Sequence, residues 1–378
     1  MEKDHTLGLG KREEKSDNLK VEVDIDRECD ENEEGNELLE ERIEDHHNSK
    51  PAPLKKPHAH PEGEDQDGDS DDDDRMNNPN APRPPKQKLE YFEWTPEIQS
   101  KSKEAIDAQK ETLSERVYSI HEKDARKYWD IFYKRNTTNF YKNRNYIDRE
   151  MGLAGFIEQL KPVKKRRLNF LEAGCGVGNT LFPICDIYKQ DMKTYGFDFS
   201  DNAIRFIKQN EHYNTENMEV EVKDLVKSDL SHYKNMDFVT LVFVLSAISP
   251  ENHEMVMAKL FNAMDDNSYL YIRDYAEYDM AQLRLAKKQD SKLKDNFYLK
   301  SDGTRVFYFS ESYLRELFGK FPEIKITMLE THYRRIRNIK RNLEMHRVWI
   351  QGTVHKSSSH ALNPPNQTNF EVTASNGG

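Results

Sequence analysis

The sequence is poor in cysteine: Cys29, Cys175 and Cys185 are the only three in 378 residues, and they form no C-x-x-C pair. An odd, scattered set excludes a disulfide framework and a zinc site of the usual kind, and it points to a reducing compartment. The cytoplasm is the expected location, with the nucleus as the alternative. Long apolar runs are also missing, and the first residues, Met1-Glu2-Lys3-Asp4-His5, lead into no apolar h-region. Neither a membrane span nor a secretory or mitochondrial address is expected, and no metal is implied. No internal repeat is visible.

Basic residues are scarce at the start of the chain. Met1 to Asn80 holds 11 Lys and Arg against 27 Asp and Glu, densest at Glu31-Asn32-Glu33-Glu34 and Asp71-Asp72-Asp73-Asp74. Such a segment cannot bury a core and is expected to be disordered. The remainder carries 46 basic and 41 acidic residues, so the net charge of -11 conceals a mildly basic body. A basic body suits a polyanionic partner, although an ordinary solvated surface has the same balance. The acidic arm then either competes with nucleic acid for that body or serves solubility.

Beyond a Pro-, Asp- and Asn-rich linker at Pro51 to Pro85, Thr95-Pro96-Glu97 is a helix start, with Thr95 as cap and Pro96 in the first turn. Ile98, Ala105, Ile106, Leu113, Val117 and Ile120 predict one face of a single long amphipathic helix, followed by an aromatic-rich stretch from Tyr128 to Tyr146. From Leu168 short apolar runs alternate with helical stretches, the pattern of a parallel sheet covered by helices. Strands are predicted at Asn169–Ala173, Lys193–Asp198, Glu219–Lys223, Asp237–Phe243 and Ser268–Arg273, with two closing strands at Ile324–Tyr333 and Glu344–Val354. Helices are predicted at Asn179–Tyr188, Asp201–Asn210, Asn252–Met264 and Ser310–Phe318. Asp302-Gly303 between alternating aromatics predicts a β-hairpin within an insertion. The Ser-, Asn- and Thr-rich end after His355 is expected to fray.

The sharpest motif is Leu171-Glu172-Ala173-Gly174-Cys175-Gly176-Val177-Gly178-Asn179-Thr180, set where a predicted strand meets a predicted helix. Glycines there let backbone approach a ligand closely. A dinucleotide fingerprint would place its third glycine at 179, which is Asn179, so nicotinamide and flavin cofactors are demoted. Glu172 suits a ligand bearing positive charge and amino groups, such as S-adenosylmethionine. Asp198 ends the second strand, where a carboxylate can hold both hydroxyls of a ribose. Asp224-Leu225 follows the third strand, offering an acceptor for an adenine amino group beside an apolar cover. Each acid alone is better read as a cap or loop residue; three at successive strand ends, in register with the glycines, reverse that preference. Val242, at the end of the apolar fourth strand, is placed to line the same pocket. Cys175 is read as a small packing residue, since nothing nearby would activate a thiolate.

Several longer strings resemble the tRNA N3-methylcytidine methyltransferases of eukaryotes, the methyltransferase-like proteins. They are Tyr128 to Asn136 (YWDIFYKRN), Asn139 to Arg144 (NFYKNR), the glycine motif, Phe243 to Ile248 (FVLSAI), Arg273-Asp274-Tyr275 with Tyr278 to Arg284 (YDMAQLR), Asp302-Gly303-Thr304-Arg305, and Arg347 to Gln351 (RVWIQ). The resemblance covers roughly Trp94 to Val354. It implies an α/β Rossmann-like class I methyltransferase with a mostly parallel seven-stranded sheet, a helical and aromatic N-terminal extension and a β-hairpin insertion. The organisation expected is a disordered region at 1–88, the extension at 89–150, the methyltransferase domain at 151–355 and a disordered tail at 356–378. S-adenosylmethionine is the implied cofactor, with Trp129, Tyr133, Gly174, Gly176, Asp198, Asp224, Leu225 and Val242 in contact with it. The spacing of Trp129 and Tyr133 does put both on one helical face. The sequence departs from the pattern at Asn143, where an acidic residue is expected, and at Asn145-Tyr146, where His-Trp is expected.

The implied substrate is an anticodon-loop cytidine of position-32 type in a threonine or serine tRNA. Phe92 to Glu97 and Arg347 to Gln351 look like the threonine branch; Glu172-Ala173 with Asn179 and the Tyr133–Phe140 stretch look like the serine branch. A splayed-out base needs aromatic and guanidinium neighbours. Phe140, Tyr141, Arg144, Tyr275 and Arg305 are candidates, with the strip Arg334-Arg335-Ile336-Arg337-Asn338-Ile339-Lys340-Arg341 for phosphates. A solvated loop between two strands is the alternative for the strip. Asp274 is the candidate carboxylate for the positive charge that develops on the base; a structural partner for Arg273 or Arg284 is its other reading. An aminoacyl-tRNA synthetase or an auxiliary subunit is a further candidate partner. Two other readings stay open here: a methyltransferase for protein or small molecules, and a catalytically silent RNA-binding scaffold.

Overall fold

The computed structural model describes residues 87–91, 93–138, 143–338 and 343–357, and the side chains of 87–91, 337, 338, 343 and 344 are not among what it describes. The expected disorder of the acidic arm and of the tail beyond Ser357 therefore lies outside the described residues, as do Phe140, Tyr141, Ile339, Lys340 and Arg341. In chain order the elements are β1 (Gln87–Tyr91), α1 (Pro96–Asp107), α2 (Glu115–Lys123), α3 (Ala125–Asn136), α4 (Ile147–Met151), α5 (Leu153–Lys164), β2 (Leu168–Ala173), α6 (Leu181–Tyr188), β3 (Met192–Asp198), α7 (Asp201–Gln209), β4 (Met218–Val222) and β5 (Met236–Val242). There follow α8 (His253–Ala263), β6 (Met264–Tyr275), α9 (Met280–Lys287), β7 (Lys292–Lys294), β8 (Phe297–Leu299), β9 (Arg305–Phe307), α10 (Glu311–Gly319), β10 (Ile324–Asn338) and β11 (Leu343–Lys356).

The large sheet has the order β1-β10-β11-β6-β5-β2-β3-β4. Its junctions from β6 to β4 are parallel, and β11 runs antiparallel to both β6 and β10. All seven expected strands are present. An eighth, β1, pairs antiparallel with β10 from Gln87↔Asn338 to Tyr91↔Arg334; it begins inside the stretch assigned to the acidic arm and carries no alternating apolar signal of its own. β5 is buried along its whole length, as a central parallel strand with helices on both faces must be. After β2 the chain moves outward through β3 and β4, then returns to the other side of β2 as β5. The loops leaving β2 and β5 therefore diverge, and a crevice opens at their C-terminal ends. The opposite end of the sheet is closed by ion pairs, with Arg166 bridging Asp237 (2.7 Å) and Asp265 (2.9 Å).

Three expectations need correction. The long amphipathic helix is two helices, α1 and α2. Between them Leu113 N donates to Lys292 O (2.7 Å) and Gln109 Nε2 to Lys288 O (2.6 Å), while Ser114 caps α2. Backbone bonding to the insertion outweighs continuation of the helix, and the Ser114 cap was the local sign of the break. The expected hairpin is present as β8 and β9 with the Asp302-Gly303 turn, Gly303 at φ +82°, and the correction is only that β7 adds a third antiparallel strand. Finally, Arg334 to Asn338 extend β10 and pair with Leu343 to Arg347, so this half of the basic strip is strand and not a solvated loop.

Candidate active site

The crevice is a cleft with about 1070 Å³ of empty space, counting its open mouth. Its floor is the glycine loop after β2. Gly174, at φ +71°, has no room for a side chain, since a Cβ there would lie 2.5 Å from Val244 Cγ2. Gly176, at φ +53°, is equally committed, with the Tyr133 hydroxyl 2.7 Å from the Cβ position. All eight positions expected to contact the cofactor, Trp129, Tyr133, Gly174, Gly176, Asp198, Asp224, Leu225 and Val242, line this one cleft.

The acids are arranged for a cationic, donor-rich guest. Asp198 accepts from Gly176 N (3.0 Å) and Ser200 N (2.9 Å), yet burial still pushes its carboxyl up to about 6. Glu172 is 1% exposed; burial pushes it up to about 7 against the pull of Arg144. Its Oε2 has no hydrogen-bond partner among the described residues, a costly state for a buried carboxylate. Asp224 folds its Oδ1 over Val226 N (2.9 Å) and Lys227 N (3.2 Å), which fixes the Asp224-Leu225 edge. Burial and the charges of Asp198 and Glu172 hold the Cys175 thiol well above its ordinary range, so it is an inert packing group.

Helix α3 forms the roof. Its Asp130 accepts from Ser200 Oγ (2.7 Å), Asn202 N (3.1 Å) and Asn202 Nδ2 (2.8 Å), and Arg126 pairs with Asp201. The helix is thus locked onto the start of α7, with Trp129 and Tyr133 over the glycine loop. The insertion meets the same roof: His121 stacks on Tyr128 at 4.8 Å and bonds through Nδ1 to Gly303 O (3.2 Å), while Lys300 Nζ lies 5.6 Å from the centre of the Trp129 ring.

The wall opposite the glycine loop is the segment after β5, with a 3-10 turn at Leu245–Ala247. Asp274, fully buried, accepts from Ser246 N (2.9 Å) and Tyr275 N (2.9 Å). It does not line the cleft. Among the described residues, Asp274 holds the wall through these two backbone amides. From behind, buried His253 bonds through Nε2 to the carbonyls of Leu245 (3.1 Å) and Ile248 (3.0 Å). Two carbonyls at Nε2 make that nitrogen the donor, leaving Nδ1 to accept from the Tyr313 hydroxyl (2.8 Å). Burial pushes this imidazole down to about 4. Arg305 completes the clamp, donating to Ala247 O (3.2 Å) and Ser249 Oγ (2.9 Å) and pairing with Glu122 of α2.

The RNA candidates divide. Arg305, a candidate neighbour of the base, is buried in that clamp and lines the cleft. Arg144 is also buried; its backbone N donates to Asn179 O (2.8 Å) and its Nη1 to Thr180 Oγ1 (3.4 Å), and it lines the cleft. Tyr275 lies just outside, its ring 4.8 Å from that of Phe243. Trp349, across the strands from Tyr275, stacks beside His332 at 6.2 Å with the guanidinium groups of Arg273 (4.8 Å) and Arg334 (6.0 Å) at its ring. Arg335 is half-buried on the same strand as Arg334, and the Arg337 side chain lies outside what is described. Sequence reasoning gave no role to Glu122 or His253, and it marked Phe243 only as the start of the FVLSAI string. Glu122, an acid near the end of a helix preceding the aromatic one, left a local trace.

A methyltransferase-domain family model matches residues 144–321. With the strand order and the cleft, it makes this protein a class I S-adenosylmethionine-dependent methyltransferase. Among curated relatives, the chain is 36% identical over 260 residues to the tRNA N(3)-cytidine methyltransferase METTL6 of Homo sapiens, covering 67% of this chain and 88% of that protein. It is 34% identical over 278 residues to the tRNA N(3)-methylcytidine methyltransferase trm140 of Schizosaccharomyces pombe, covering 71% and 86%. The tRNA(Thr) (cytosine(32)-N(3))-methyltransferase of Saccharomyces cerevisiae is 34% identical over 270 residues, covering 68% of this chain and 41% of that one. The chain belongs to the tRNA N(3)-cytidine methyltransferase family.

Proposed function

We propose that this protein transfers a methyl group from S-adenosylmethionine to N3 of a cytidine in the anticodon loop of a threonine or serine tRNA. One observation carries the reading: the eight expected cofactor positions converge on a single cleft, roofed by the aromatic helix and walled by a clamped turn. Trp129 and Tyr133 would cover the cofactor, and Gly174 and Gly176 would admit it against the backbone. Asp198 would hold its ribose and Asp224 with Leu225 its adenine, while buried Glu172, behind the glycine loop, would contribute negative charge to the site. When bound, the cofactor supplies an electrophilic methyl group on a sulfonium.

Cytosine N3 keeps a free lone pair at neutral pH, so no side chain need remove a proton first. What remains is alignment, and the chain provides it by rigidity. Asp274, His253 and Arg305 each fix a backbone group of the wall between Leu245 and Ile248, so the acceptor meets a surface that does not have to reorganise. Arg334 and Arg335, on the arm formed by β10 and β11, are assigned to phosphates flanking the loop. A protein or small-molecule acceptor would have no use for that arm. The protein works in the cytoplasm, where tRNA is charged, and an aminoacyl-tRNA synthetase or an auxiliary subunit is the partner to seek. The acidic region precedes β1, and the tail follows β11, on either side of the extension and the catalytic domain.

The test is transfer of labelled methyl from S-adenosylmethionine to total tRNA, followed by nucleoside analysis. The expected result is 3-methylcytidine that disappears with Asp198→Ala. Cofactor binding without methylation of tRNA, alone or with added synthetase, would count against the reading.

A further inference from the structure

Phe243 lines the cleft at the end of β5, and none of the cofactor roles assigned above needs its ring. It ends β5 at φ +56°, a conformation that bulky side chains avoid and that, where it occurs, concentrates at functional sites. The conformation is enforced on both sides. Phe243 N donates to Arg273 O (2.8 Å), one residue past the Val242↔Arg273 pair that ends the β5–β6 ladder. The next residue, Val244, is seated against Gly174. The chain turns sharply between them and leaves the Phe243 ring half-buried at the cleft.

The surroundings of that ring differ from those of the other aromatics. Trp129 and Tyr133 stand over the glycine loop, and Phe197 and Phe199 flank Asp198, all on the cofactor side. Phe243 has the Arg144 guanidinium 5.8 Å from its ring centre and the Tyr275 ring at 4.8 Å. Arg144 is held in place by the Asn179 and Thr180 contacts described above. An aromatic face bounded by a fixed guanidinium and a second aromatic is what an unstacked pyrimidine needs to replace its lost neighbours.

We propose that Phe243 is the platform on which the splayed-out acceptor cytosine stacks, with Arg144 and Tyr275 bounding the base. The inference rests on the tRNA-cytidine reading and names the acceptor subsite within it. Backbone strain at position 243 is then retained because it aims the ring at the base.

The experiment compares full-length wild type, Phe243→Gly and Phe243→Tyr. Glycine accepts φ +56° without strain, so Phe243→Gly is expected to fold and to bind S-adenosylhomocysteine as wild type does. Its kcat/KM on tRNA is expected to fall roughly tenfold to a hundredfold, the range that loss of one base-aromatic stack produces. Phe243→Tyr keeps the platform and should keep most of the activity. A second readout does not depend on turnover: an anticodon stem-loop carrying pyrrolocytosine at the target position should be quenched on binding wild type and not on binding Phe243→Gly. Wild-type turnover or wild-type quenching in Phe243→Gly would overturn the platform and leave the tRNA reading standing, as would a loss of cofactor affinity matching the loss of turnover. If wild type itself forms no 3-methylcytidine, both fall together.

Discussion

The Tyr133 hydroxyl lies 2.7 Å from the point that a Cβ on Gly176 would occupy. The roof helix and the glycine loop are therefore fitted to each other before any cofactor enters, and Gly176 cannot gain a side chain while the Tyr133 hydroxyl is there. Gly176→Ala must push Tyr133 aside and also accept φ +53°. Cofactor affinity should fall by at least roughly tenfold, equivalent to about 1.4 kcal/mol. Adding Tyr133→Phe removes the colliding oxygen, so the double variant should recover part of the loss, leaving the backbone cost of about 1–2 kcal/mol. Calorimetry on the four proteins measures the coupling; strictly additive losses would mean that the two residues act independently.

The buried acids make cofactor binding sensitive to pH. Both Glu172, at about 7, and Asp198, at about 6, are raised above the ordinary carboxyl range by burial. The folded protein thus holds protons that the unfolded chain has released, and its stability without ligand should fall as pH rises through that window and level off above about 7. A cationic guest favours the ionised acids, so affinity should rise over the same interval with release of protons. Calorimetry in two buffers of different ionisation enthalpy detects this; a pH-independent affinity with no proton release would refute it.

For Asp274, stability and turnover should move together. Asp274→Asn can keep one of the two backbone amides, and the other is left facing an N–H donor, at a cost of about 1–3 kcal/mol. A lowered Tm accompanied by reduced kcat fits a residue that holds the wall. An unchanged Tm with abolished turnover would return Asp274 to the role of charge-stabilising carboxylate.

The Glu122–Arg305 pair joins α2 to that wall. Burial opposes ionisation of Glu122, but Ser249 and Arg305 outweigh it and hold the carboxyl below its ordinary value. The stabilisation is present above the unfolded carboxyl range and is lost as pH falls through the lowered value. Arg305→Ala should destabilise by about 1–3 kcal/mol, less than for a fully buried pair because Glu122 is half-exposed. Hydrogen exchange should show α2 loosening in this variant, and protection equal to wild type would argue against the clamp.

On the β10–β11 arm, Arg334→Ala and Arg335→Ala should each weaken tRNA binding uniformly across sequences. Each should also lower the slope of log affinity against log salt by about one. An unchanged slope in both variants would remove these residues from the phosphate path.

The strand positions, the glycine loop and the cofactor acids were legible in the sequence because each depends on neighbours a few positions away. Apolar alternation marks a strand, Ser310 and Thr95 mark helix starts, and an acid at a strand end is near the crevice whatever else the chain does. Asp274 shows the complementary limit: it stands at a strand end like Asp198, but its bonds to the amides of Ser246 and Tyr275 depend on the pairing of β5 with β6, which no local pattern shows. Arg305 likewise reads as a free cation until Glu122 and Ala247 O are seen around it. The left-handed Phe243 has no local signature, since glycine or asparagine is the residue expected there; only the Arg273 carbonyl on one side and Gly174 beneath Val244 on the other enforce it. The sequence by itself determined the sheet, the glycine loop and the kind of ligand that loop admits, because these follow from local periodicity and side-chain chemistry. The tertiary structure alone decided which polar groups remain available to a ligand and which are consumed in holding the wall, because that depends on partners far away in the chain.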